Sequence, residues 1–481
     1  MSKSLGSNLI FNILKNIANI IFPLITAPYV ARVLNPDSLG LANFAGTYAG
    51  YFVLVAALGI PNYGIREVSK RRGSKKELSM VFSELFSISI FTTVFISLVF
   101  LLTLFLIGQL KHDFIIFLIA GITLFTTPFN IDWFYSGLED FQYITIRSLV
   151  VKTISVICLF LFVRDEADLI IFVLLNALSG CVNQVWNVLV LLKSGIRIRL
   201  GLSGIRKHVK PLLLLFSSTI AVSLYTTINV LMLGFASTYD QVSYYNQANN
   251  LSRAFLAVVT SLSEIMVPRL SFLKALGDWN NINKLVSKSF SLVSFLAVPI
   301  AIGVICISPV FIPLFLGEKF IGTVLPLQIM SLIVFVIGLN NISTIQILMG
   351  LGYDSKLLKT VMSGAICNVV INLFFIPLWG ASGAAVASVL AELVILVVSV
   401  YYVLKNTDIR INTTSDMLKS LLGGVLFIPL TIMLKSIFMG WTLVFLLAFS
   451  YFMLYILTQW LMRSASFGLI VHFLSKRAVE K

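Results

Sequence analysis

Two basic residues, Lys15 and Arg253, lie inside long apolar stretches of the sequence. A Lys or Arg near the centre of a membrane-spanning helix costs about 2.5–3.5 kcal/mol on insertion scales, so such residues usually face a water-filled cavity or the protein interior. Arg253 lies near the midpoint of its stretch. Lys15 lies on the inner side of its own midpoint, roughly 6 Å away by helical rise. Two cations at this depth offer one chemistry above all, which is the binding of an anionic group.

Each cation has an alternative interpretation that the sequence leaves open. Lys15 can extend its flexible side chain towards the inner membrane interface. Arg253 can form a buried ion pair with Glu392, which also lies in the middle of an apolar stretch, or with Glu264 further along its own helix. If neither alternative holds, we expect both cations to face an anionic ligand.

Each of the two cations shares one face of its helix with several asparagines, which together form a polar stripe. Residues three or four positions apart share one face of a helix. This spacing occurs in the sets Asn8, Asn12, Lys15, Asn16, Asn19; Asn176, Asn183, Asn187; Asn246, Asn250, Arg253; and Asn368, Asn372. Such amides can join helices, at about 0.6–2 kcal/mol per hydrogen bond, or they can line a wet cavity. Where a stripe includes a full charge we favour the cavity, so we predict that Asn12, Asn16 and Asn250 contact the ligand.

Further basic residues could line the inner mouth of the same site. Arg66 follows the second apolar stretch, and Arg147 and Lys152 begin the fifth. The alternative for each of them is simple retention of positive charge on the cytoplasmic side. The complete set of predicted substrate-binding residues is Lys15, Arg253, Asn12, Asn16, Asn250, Arg66, Arg147 and Lys152.

The elements that must position these residues are fourteen apolar segments, each about as long as a membrane-spanning helix. The chain of 481 residues is 58% hydrophobic and only 11% charged, whereas soluble proteins have about 25% charged residues. This composition excludes a soluble domain and predicts an all-α integral membrane protein. The segments are 8–30, 40–60, 80–107, 113–135, 146–163, 168–192, 210–235, 243–267, 285–307, 324–349, 357–377, 381–404, 417–437 and 441–461.

The distribution of Lys and Arg predicts the topology of these segments. Of the 35 such residues, 28 lie in the even-numbered gaps between segments and in the two tails, and five lie in the odd-numbered gaps. Cytoplasmic loops retain Lys and Arg, so we predict that both termini are cytoplasmic. The net charge of +15 is therefore a signal of the cytoplasmic face, where it can meet anionic headgroups, and not of nucleic-acid binding.

A weak internal repeat divides the fourteen segments. The sequence that begins at Asp37 resembles the one that begins at Asp240, and each leads into a helix that we expect to end at a proline, Pro61 or Pro268. Because six is even, two six-helix lobes would enter the membrane in the same sense, with a pseudo-twofold axis along the membrane normal and a central cleft where their first helices meet. The predicted domains are an N-terminal lobe (1–205), a C-terminal lobe (206–404), and two extra helices with a basic tail (405–481).

Two sequence features indicate how individual segments pack and bend. The GxxxG pattern of Gly46 and Gly50 predicts close packing of the second segment against a neighbouring helix. Pro23 and Pro28 predict a kink or a flexing point in the first segment.

No motif of a common enzyme class occurs in the sequence. The nucleotide-binding pattern GxxxxGK[ST] is absent, which removes one route to phosphate chemistry. The three histidines lack metal-ligand spacing. We therefore predict no enzymatic activity, no cofactor and no metal.

Three groups of motifs occur in order along the chain. They are PYVARVL from Pro28, LGLANFA from Leu39 and LGIPNYGIRE from Leu58; DWFYSGLEDFQYI from Asp132; and NVVINL from Asn368, PLWGASGAA from Pro377 and the acid Glu392. In their order and spacing they resemble the Wzx-type polysaccharide flippases over nearly the whole chain.

This resemblance implies the fold of the multidrug/oligosaccharidyl-lipid/polysaccharide exporter superfamily, with two six-helix lobes in a V and two extra helices. It implies a bacterial inner-membrane protein that flips an undecaprenyl-pyrophosphate-linked oligosaccharide, an O-antigen or capsule repeat unit, to the periplasmic side by alternating access. It also implies a functional association with a polysaccharide polymerase and a chain-length regulator, and no nucleic-acid partner. The cationic cavity of the family corresponds to Lys15 and Arg253, although its individual ligand residues vary between members.

Two other functions stay open at this point. A MATE-type drug/cation antiporter of the same superfamily would need buried acids, and Glu392 is the main acid in the middle of a segment. A membrane polysaccharide polymerase would need a substantial outer loop, but the longest predicted one covers only residues 308–323. The excess of cations within the segments favours the flippase.

Overall fold

The computed structural model describes residues 5–196, 198–201, 204–409 and 414–468. Every regular element in these ranges is a helix, as expected where hydrocarbon surrounds the chain and each backbone N–H must be paired internally. Eleven helical segments in these ranges are long and apolar enough to cross a membrane. The prediction of an all-α, multi-pass membrane protein is confirmed.

The chain forms two compact units, and unit 1 comprises Met1–Leu231. Its core includes the stacked rings of Phe82 and Trp133, with Phe134 edge-on to Phe82. The helices that begin in unit 1 are α1 (Leu5–Val33), α2 (Pro36–Ala57), α3 (Ile60–Lys70), α4 (Lys75–Leu106), α5 (Gly108–His112), α6 (Phe114–Ala120), α7 (Ile122–Phe125), α8 (Asp132–Gly137), α9 (Phe141–Phe162), α10 (Leu169–Lys193) and α11 (Arg206–Ala236), with 3-10 turns at Thr127–Phe129 and Glu166–Asp168.

Unit 2 comprises Met232–Lys481 and has its own apolar core, in which Val259, Phe290, Val334 and Ile347 are buried together. The predicted basic tail around Lys476 lies outside the described residues. The helices of unit 2 are α12 (Tyr239–Ala275), α13 (Trp279–Leu316), α14 (Val324–Asn341), α15 (Asp354–Asn406), α16 (Thr414–Val425), α17 (Phe427–Lys435) and α18 (Gly440–Leu461), with a 3-10 segment at Glu318–Thr323 and a π-helix at Ile342–Met349.

Helix α15 contains two membrane spans joined at Gly380. At 53 residues it would be about 80 Å long, whereas the hydrocarbon core of a bilayer is about 30 Å thick. Gly380 has a φ of 52°, and a Cβ there would approach Gln241 Oε1 to 2.5 Å. The same oxygen accepts a hydrogen bond from Ala381 N at 3.0 Å. Glycine therefore permits both the backbone turn and the close approach, and α15 is divided between the predicted segments 357–377 and 381–404.

The predicted number of fourteen spans is not confirmed by length and apolarity alone. Dividing α15 adds one span to the eleven. Helices α11 and α12 coincide with the predicted segments 210–235 and 243–267, but neither is among the eleven. For α12, its asparagines and Arg253 lower the hydropathy of the segment.

The fourth predicted segment is not one continuous helix. It is a chain of short helices, α6 to α8, within Phe114–Gly137. Gly121 separates α6 from α7, and a Cβ at this position would lie 2.6 Å from the Phe100 ring. Pro128 lies in the 3-10 turn that follows and has no N–H to continue an α-helix. The apolar sequence predicted the span correctly but did not indicate these breaks.

The prolines inside the long segments do not end their helices. Helix α1 continues through Pro23 and Pro28. Helix α12 continues through Pro268 to Ala275, so the prediction that it ends at this proline is wrong. Neighbouring groups in membrane proteins can satisfy the backbone carbonyl that a proline leaves unpaired. The repeat itself persists at the start of the helices, since Asp37 and Asp240 lie in the first turns of α2 and α12.

Candidate functional site

Helices α1 and α9 of unit 1 lie side by side and run in the same direction. Thr145 Oγ1 donates to Phe11 O at 3.0 Å, and Tyr29 OH donates to Val163 O at 2.7 Å. The two partners are 134 residues apart in both hydrogen bonds, so the helices keep one register along their length. Parallel directions agree with the predicted topology, in which the first and fifth segments cross the membrane in the same sense.

This register brings Lys15 and Lys152 together. Lys152 Nζ donates a hydrogen bond to Asn19 Oδ1, one turn from Lys15 on α1, and the charge of Lys15 acts on Lys152. Both lysines are half-buried. Neither α1 nor α9 contains an acidic residue, and no ion pair among the described residues includes either lysine. An anion bound beside both lysines would relieve the repulsion between them. We call Lys15 and Lys152 the lysine pair.

Two of the predicted amides accompany the lysine pair. Asn12 and Asn16 lie within one turn of Lys15 on α1, and both side chains are exposed. Exposed amides can donate and accept hydrogen bonds, so this part of α1 offers groups suited to the hydroxyls of a sugar. The Asn8 side chain, at the start of the same predicted stripe, lies outside the described residues.

Arg147 lies on another face of α9 and is only 4% exposed. Its Nη2 donates to Asp132 Oδ1 at 2.8 Å, and its Nε donates to Asn183 Oδ1 at 3.2 Å. Asp132 Oδ1 also accepts a hydrogen bond from Asn187 Nδ2 at 2.7 Å, and the guanidinium lies 5.4 Å from the centre of the Tyr143 ring. We call Asp132, Tyr143, Arg147, Asn183 and Asn187 the Arg147 cluster. It joins α8, α9 and α10, so the asparagines of the sixth segment connect helices here.

Arg66 is not brought to the lysine pair. It lies on α3, an amphipathic helix that packs mainly against α8 and α4. Its guanidinium is 5.3 Å from the centre of the Tyr63 ring, and its Nε is 3.7 Å from Glu67 Oε1. The side chain is exposed and therefore free to meet a charged headgroup.

In unit 2, Arg253 and Asn250 lie one turn apart on α12 and are both exposed. Arg253 Nε donates to Asn249 Oδ1 at 3.2 Å. Glu392 is buried and accepts a hydrogen bond from Asn340 Nδ2 at 2.5 Å, and no ion pair among the described residues includes it. The described residues therefore do not support the alternative in which Glu392 neutralises Arg253, and the side chain of Glu264, the other alternative partner, lies outside the described residues.

A polar cavity of about 390 Å³ lies within unit 1 and is lined by Asn43, Thr47, Thr123 and Asn176, among others. Gly46 also lines it. No described atom lies within 4 Å of the Cβ that a residue at Gly46 or Gly50 would carry. The predicted close packing at the GxxxG pattern is therefore wrong for the described residues, because the missing side chain at Gly46 leaves space beside the cavity.

An apolar groove of about 460 Å³ lies within unit 2, mainly between α13 and α18. Phe295, Pro299 and Phe311 line one side, and Tyr451 and Tyr455 line the other. The Tyr455 hydroxyl adds no unpaired polar group to the groove, because it donates to Phe295 O at 2.8 Å. The groove therefore offers a surface for a hydrocarbon chain.

Unit 1 also contains a buried row of hydrogen-bonded polar side chains that no pattern in the sequence indicates. Tyr63 OH lies 2.8 Å from His208 Nδ1, and His208 Nε2 lies 2.9 Å from Glu84 Oε2. Lys207 Nζ donates to Glu84 Oε1 at 2.7 Å. These residues are too far apart in sequence to form a recognisable motif. The one available signal was Glu84 itself, since an acid inside a predicted apolar segment is a candidate functional residue.

Comparison with known families now decides the class of the chain. The family model described as polysaccharide biosynthesis protein matches residues 5–274, which is more than half of the sequence. The chain belongs to this family. A second family model, lipid II flippase MurJ, matches residues 143–452. The resemblance to Wzx-type polysaccharide flippases is thereby confirmed.

Two curated relatives match this chain over nearly the whole of their own length. Both are named "Putative O-antigen transporter". The one from Escherichia coli (strain K12) is 23% identical over 407 residues, which are 84% of this chain and 97% of the relative. The one from Shigella dysenteriae is 23% identical over 395 residues, which are 81% of this chain and 97% of the relative.

Two solved structures share the fold of this chain. Lipid II flippase MurJ in an inward closed conformation has a TM-score of 0.72 at 15% identity, covering 96% of this chain and 100% of its own. A multidrug resistance MATE family transporter in an inward-facing conformation has a TM-score of 0.61 at 12% identity, covering 82% and 96%. At these identities the likeness shows the fold alone.

Proposed function

We propose that this protein is a flippase for an undecaprenyl-pyrophosphate-linked oligosaccharide, such as an O-antigen or capsule repeat unit. It moves the lipid from the cytoplasmic to the periplasmic face of the bacterial inner membrane by alternating access, and it catalyses no chemical reaction. Both termini lie in the cytoplasm, as the distribution of Lys and Arg predicts. The family membership and the names of the two curated relatives support this substrate class.

The observation that carries the proposal is the lysine pair. Lys15 and Lys152 lie on adjacent helices that contain no acid, so their charges are available to a ligand. A diphosphate carries several negative charges on oxygens that accept hydrogen bonds from ammonium groups, and charge-assisted hydrogen bonds are about twice as strong as neutral ones. The lysine pair therefore replaces the hydrogen bonds and the charge stabilisation that a diphosphate loses when it leaves water.

The other parts of the lipid have matching surfaces. The exposed amides of Asn12 and Asn16 suit sugar hydroxyls, which otherwise could not enter hydrocarbon without a large penalty. The apolar groove of unit 2 suits part of a polyprenyl chain, because it is lined almost wholly by carbon. In unit 2 the proposal also assigns Arg253 and Asn250 to the charged and sugar parts of the ligand.

Arg66 and Arg147 have less direct roles in this proposal. Arg66 is exposed on the amphipathic helix α3, where it can attract the diphosphate headgroup at the membrane surface. Arg147 already has Asp132 as its counter-charge, so it positions the start of α9 and thereby holds Lys152 in place. We also propose, from the family resemblance, a functional association with a polysaccharide polymerase and a chain-length regulator.

A drug/cation antiporter is the second candidate, because a MATE family transporter shares the fold. A cationic drug would need a carboxylate that it can reach. Glu392 is only 6% exposed, whereas the described polar side chains around Lys15 on α1 and beside Arg253 on α12 are amides. This arrangement of charge favours an anionic ligand.

Replacing the cations tests the proposal in cells that depend on this chain for surface polysaccharide. Lys15→Ala and Arg253→Ala should each reduce export, and the double variant should abolish it, while the protein stays in the membrane at its normal level. Lipid-linked units should then accumulate at the cytoplasmic face. Lys319→Ala is the matched control, because Lys319 is an exposed cation of the 3-10 segment between α13 and α14.

Three other results would point elsewhere. Normal surface polysaccharide in both single variants and in the double variant would remove the assigned roles. Lipid-linked units that accumulate at the outer face of a deletion strain would indicate a polymerase. Drug resistance conferred on a pump-deficient host and lost in Glu392→Gln would indicate the antiporter.

A further inference from the structure

Glu392 is a buried acid that the proposed function leaves without a role. It lies in the part of α15 that follows Gly380 and is 6% exposed. Its carboxylate accepts a hydrogen bond from Asn340 Nδ2 at 2.5 Å, and the same nitrogen donates to Glu392 O at 3.0 Å. Within the described part of unit 2, no cation forms an ion pair with it.

The helices around Glu392 carry few groups that could share its charge. The whole stretch Val324–Met349, which forms α14 and the π-helix, has no titratable side chain. The preceding half of α15 contributes the thiol of Cys367, which is half-buried. Among its described side chains, helix α12 contributes Tyr245, whose hydroxyl is 3.1 Å from Ser388 Oγ, and Arg253, whose side chain is exposed. The Glu264 side chain on this helix lies outside the described residues.

A carboxylate in these surroundings is poorly compensated. An ion moved from water into a protein interior costs several kcal/mol even after relaxation, and a single amide donor returns only part of this. A neutral carboxylic acid costs much less free energy to bury, but its hydroxyl needs a hydrogen-bond acceptor. Asn340 Oδ1 is buried and has no hydrogen-bond partner among the described residues, so the amide that contacts the acid also carries an unused acceptor.

We propose that Glu392 is a proton-binding site whose proton couples lipid transport to a proton gradient. This inference rests on the proposed function and adds the driving ion to it. In the described conformation the carboxyl holds a proton. During the transport cycle the O–H bond breaks, the proton passes to water on one side of the membrane, and the carboxylate later takes a proton from the other side.

The structure connects this site to an element that can change shape. Asn340 O accepts hydrogen bonds from Thr344 Oγ1 at 2.5 Å and from Ser343 Oγ at 3.1 Å, and both donors belong to the π-helix. Ser343 Oγ also lies 2.7 Å from Ser399 Oγ, two turns beyond Glu392 on α15. π-helical geometry is rare in proteins and frequently lies at functional sites. Loss of the proton leaves a charge on Glu392 that the surrounding hydrogen bonds do not stabilise. Deprotonation therefore favours a conformation in which water or a cation reaches the carboxylate.

Coupling follows from this link between protonation and conformation. A ligand shifts a conformational equilibrium only by its differential affinity for the two states. The affinity of Glu392 for a proton differs between the states if one state buries the acid and the other hydrates it. If one proton moves in each transport cycle, a gradient of one pH unit can change the ratio of lipid between the two leaflets by up to about tenfold.

The first test is infrared spectroscopy of the purified full-length protein. At neutral pH the wild type should show the carbonyl band of a protonated carboxylic acid, and Glu392→Gln should lose it. Glu318→Gln should keep it, because Glu318 is exposed in the 3-10 segment between α13 and α14. Glutamine has the shape of the neutral acid, so Glu392→Gln should fold. A band that is absent in the wild type, or that persists in Glu392→Gln, would overturn the proposal.

The second test places the wild type and both variants in vesicles with a fluorescent polyprenyl-diphosphate N-acetylglucosamine. With a gradient of one pH unit, the wild type and Glu318→Gln should shift the leaflet ratio of the probe by up to about tenfold, and Glu392→Gln should show no shift. Equilibration of the probe without a gradient is measured on the same vesicles.

The outcomes separate this inference from the function on which it rests. If the wild type equilibrates the probe but the gradient has no effect, Glu392 does not couple transport and the flippase assignment stands. If the wild type does not move the probe at all, the flippase assignment fails. In that case the infrared band still decides whether Glu392 binds a proton. A gradient response in Glu392→Gln equal to that of the wild type would also overturn the proposal.

Discussion

Arg147 and Lys152 lie five positions apart on the same helix, α9, and have opposite surroundings. Five residues correspond to about 140° around a helix with 3.6 residues per turn, so the two cations face different neighbours. Arg147 is 4% exposed and forms an ion pair with Asp132 at 2.8 Å. Lys152 is half-buried and faces α1, where its neighbours are Asn19 and another cation, Lys15.

This comparison shows that the partners of a cation decide its role, and its depth in the membrane does not. The carboxylate of Asp132 neutralises Arg147, so this guanidinium holds helices together. No carboxylate neutralises the lysine pair within the described residues, so its charge is available for a ligand. Replacing Arg147 should therefore affect folding, and replacing Lys152 should affect binding.

The largest expected effect is on stability, from Arg147→Ala. This change removes the counter-charge of Asp132, whose side chain is 38% exposed, so the loss of stability should be less than the about 3–5 kcal/mol expected for a fully buried ion pair. The melting temperature of the detergent-purified protein should fall clearly. The double variant Arg147→Ala/Asp132→Ala should recover part of the loss. If Arg147→Ala melts at the same temperature as Lys152→Ala, the two cations do not differ as we describe.

The second prediction concerns charge reversal in the lysine pair. Lys152→Glu should form an ion pair with Lys15, so the melting temperature should not fall. Lipid export should nevertheless be lost, because the new carboxylate occupies the place of the anion and repels it. The measurements are surface polysaccharide in cells and thermal unfolding of the purified variant. Normal export by Lys152→Glu would show that the lysine pair does not bind the diphosphate.

A smaller effect is expected at the edge of the Arg147 cluster. Asn183→Ala removes the acceptor for Arg147 Nε, a hydrogen bond of 3.2 Å. A hydrogen bond to a charged group contributes about 1.5–3 kcal/mol, and Asp132 still holds the guanidinium, so the loss of stability should be less than in Arg147→Ala. Thermal unfolding measures this difference. A loss as large as that of Arg147→Ala would mean that Asp132 is not the main partner.

The smallest expected effect is the response to salt. Half-exposed charges are screened by ions, with a Debye length of about 10 Å at 0.1 M, whereas buried pairs are screened much less. Binding of a diphosphate to the lysine pair should therefore weaken as salt increases, and the melting temperature should change little. If the melting temperature depended strongly on salt and binding did not, the contrast between a buried Arg147 ion pair and an accessible lysine pair would be wrong.

The helical spans were predictable from the sequence because their signal is local. Apolar length alone placed the tenth segment at 324–349, where the structure has α14 and the π-helix (Val324–Met349). It also separated the two halves of α15, since Pro377 and Gly380 interrupt the apolar sequence. Local patterns did not reveal the breaks in the fourth segment, which depend on the packing of Gly121 against Phe100.

The partners of the charged residues were not predictable, because they come from distant parts of the chain. Lys152 meets Asn19 across 133 residues, and His208 meets Glu84 across 124. The sequence placed Arg147 and Lys152 in one mouth because both begin the fifth segment. Their separation depends on Asp132, whose position relative to α9 is fixed only by the fold.

The most direct test of the lysine pair is the binding of undecaprenyl diphosphate to the full-length protein in nanodiscs of neutral lipid. The double variant Lys15→Ala/Lys152→Ala should bind at least about tenfold more weakly than the wild type, a difference of about 1.4 kcal/mol. Lys319→Ala should bind like the wild type. If the double variant binds undecaprenyl diphosphate as tightly as Lys319→Ala does, the lysine pair is not the diphosphate site.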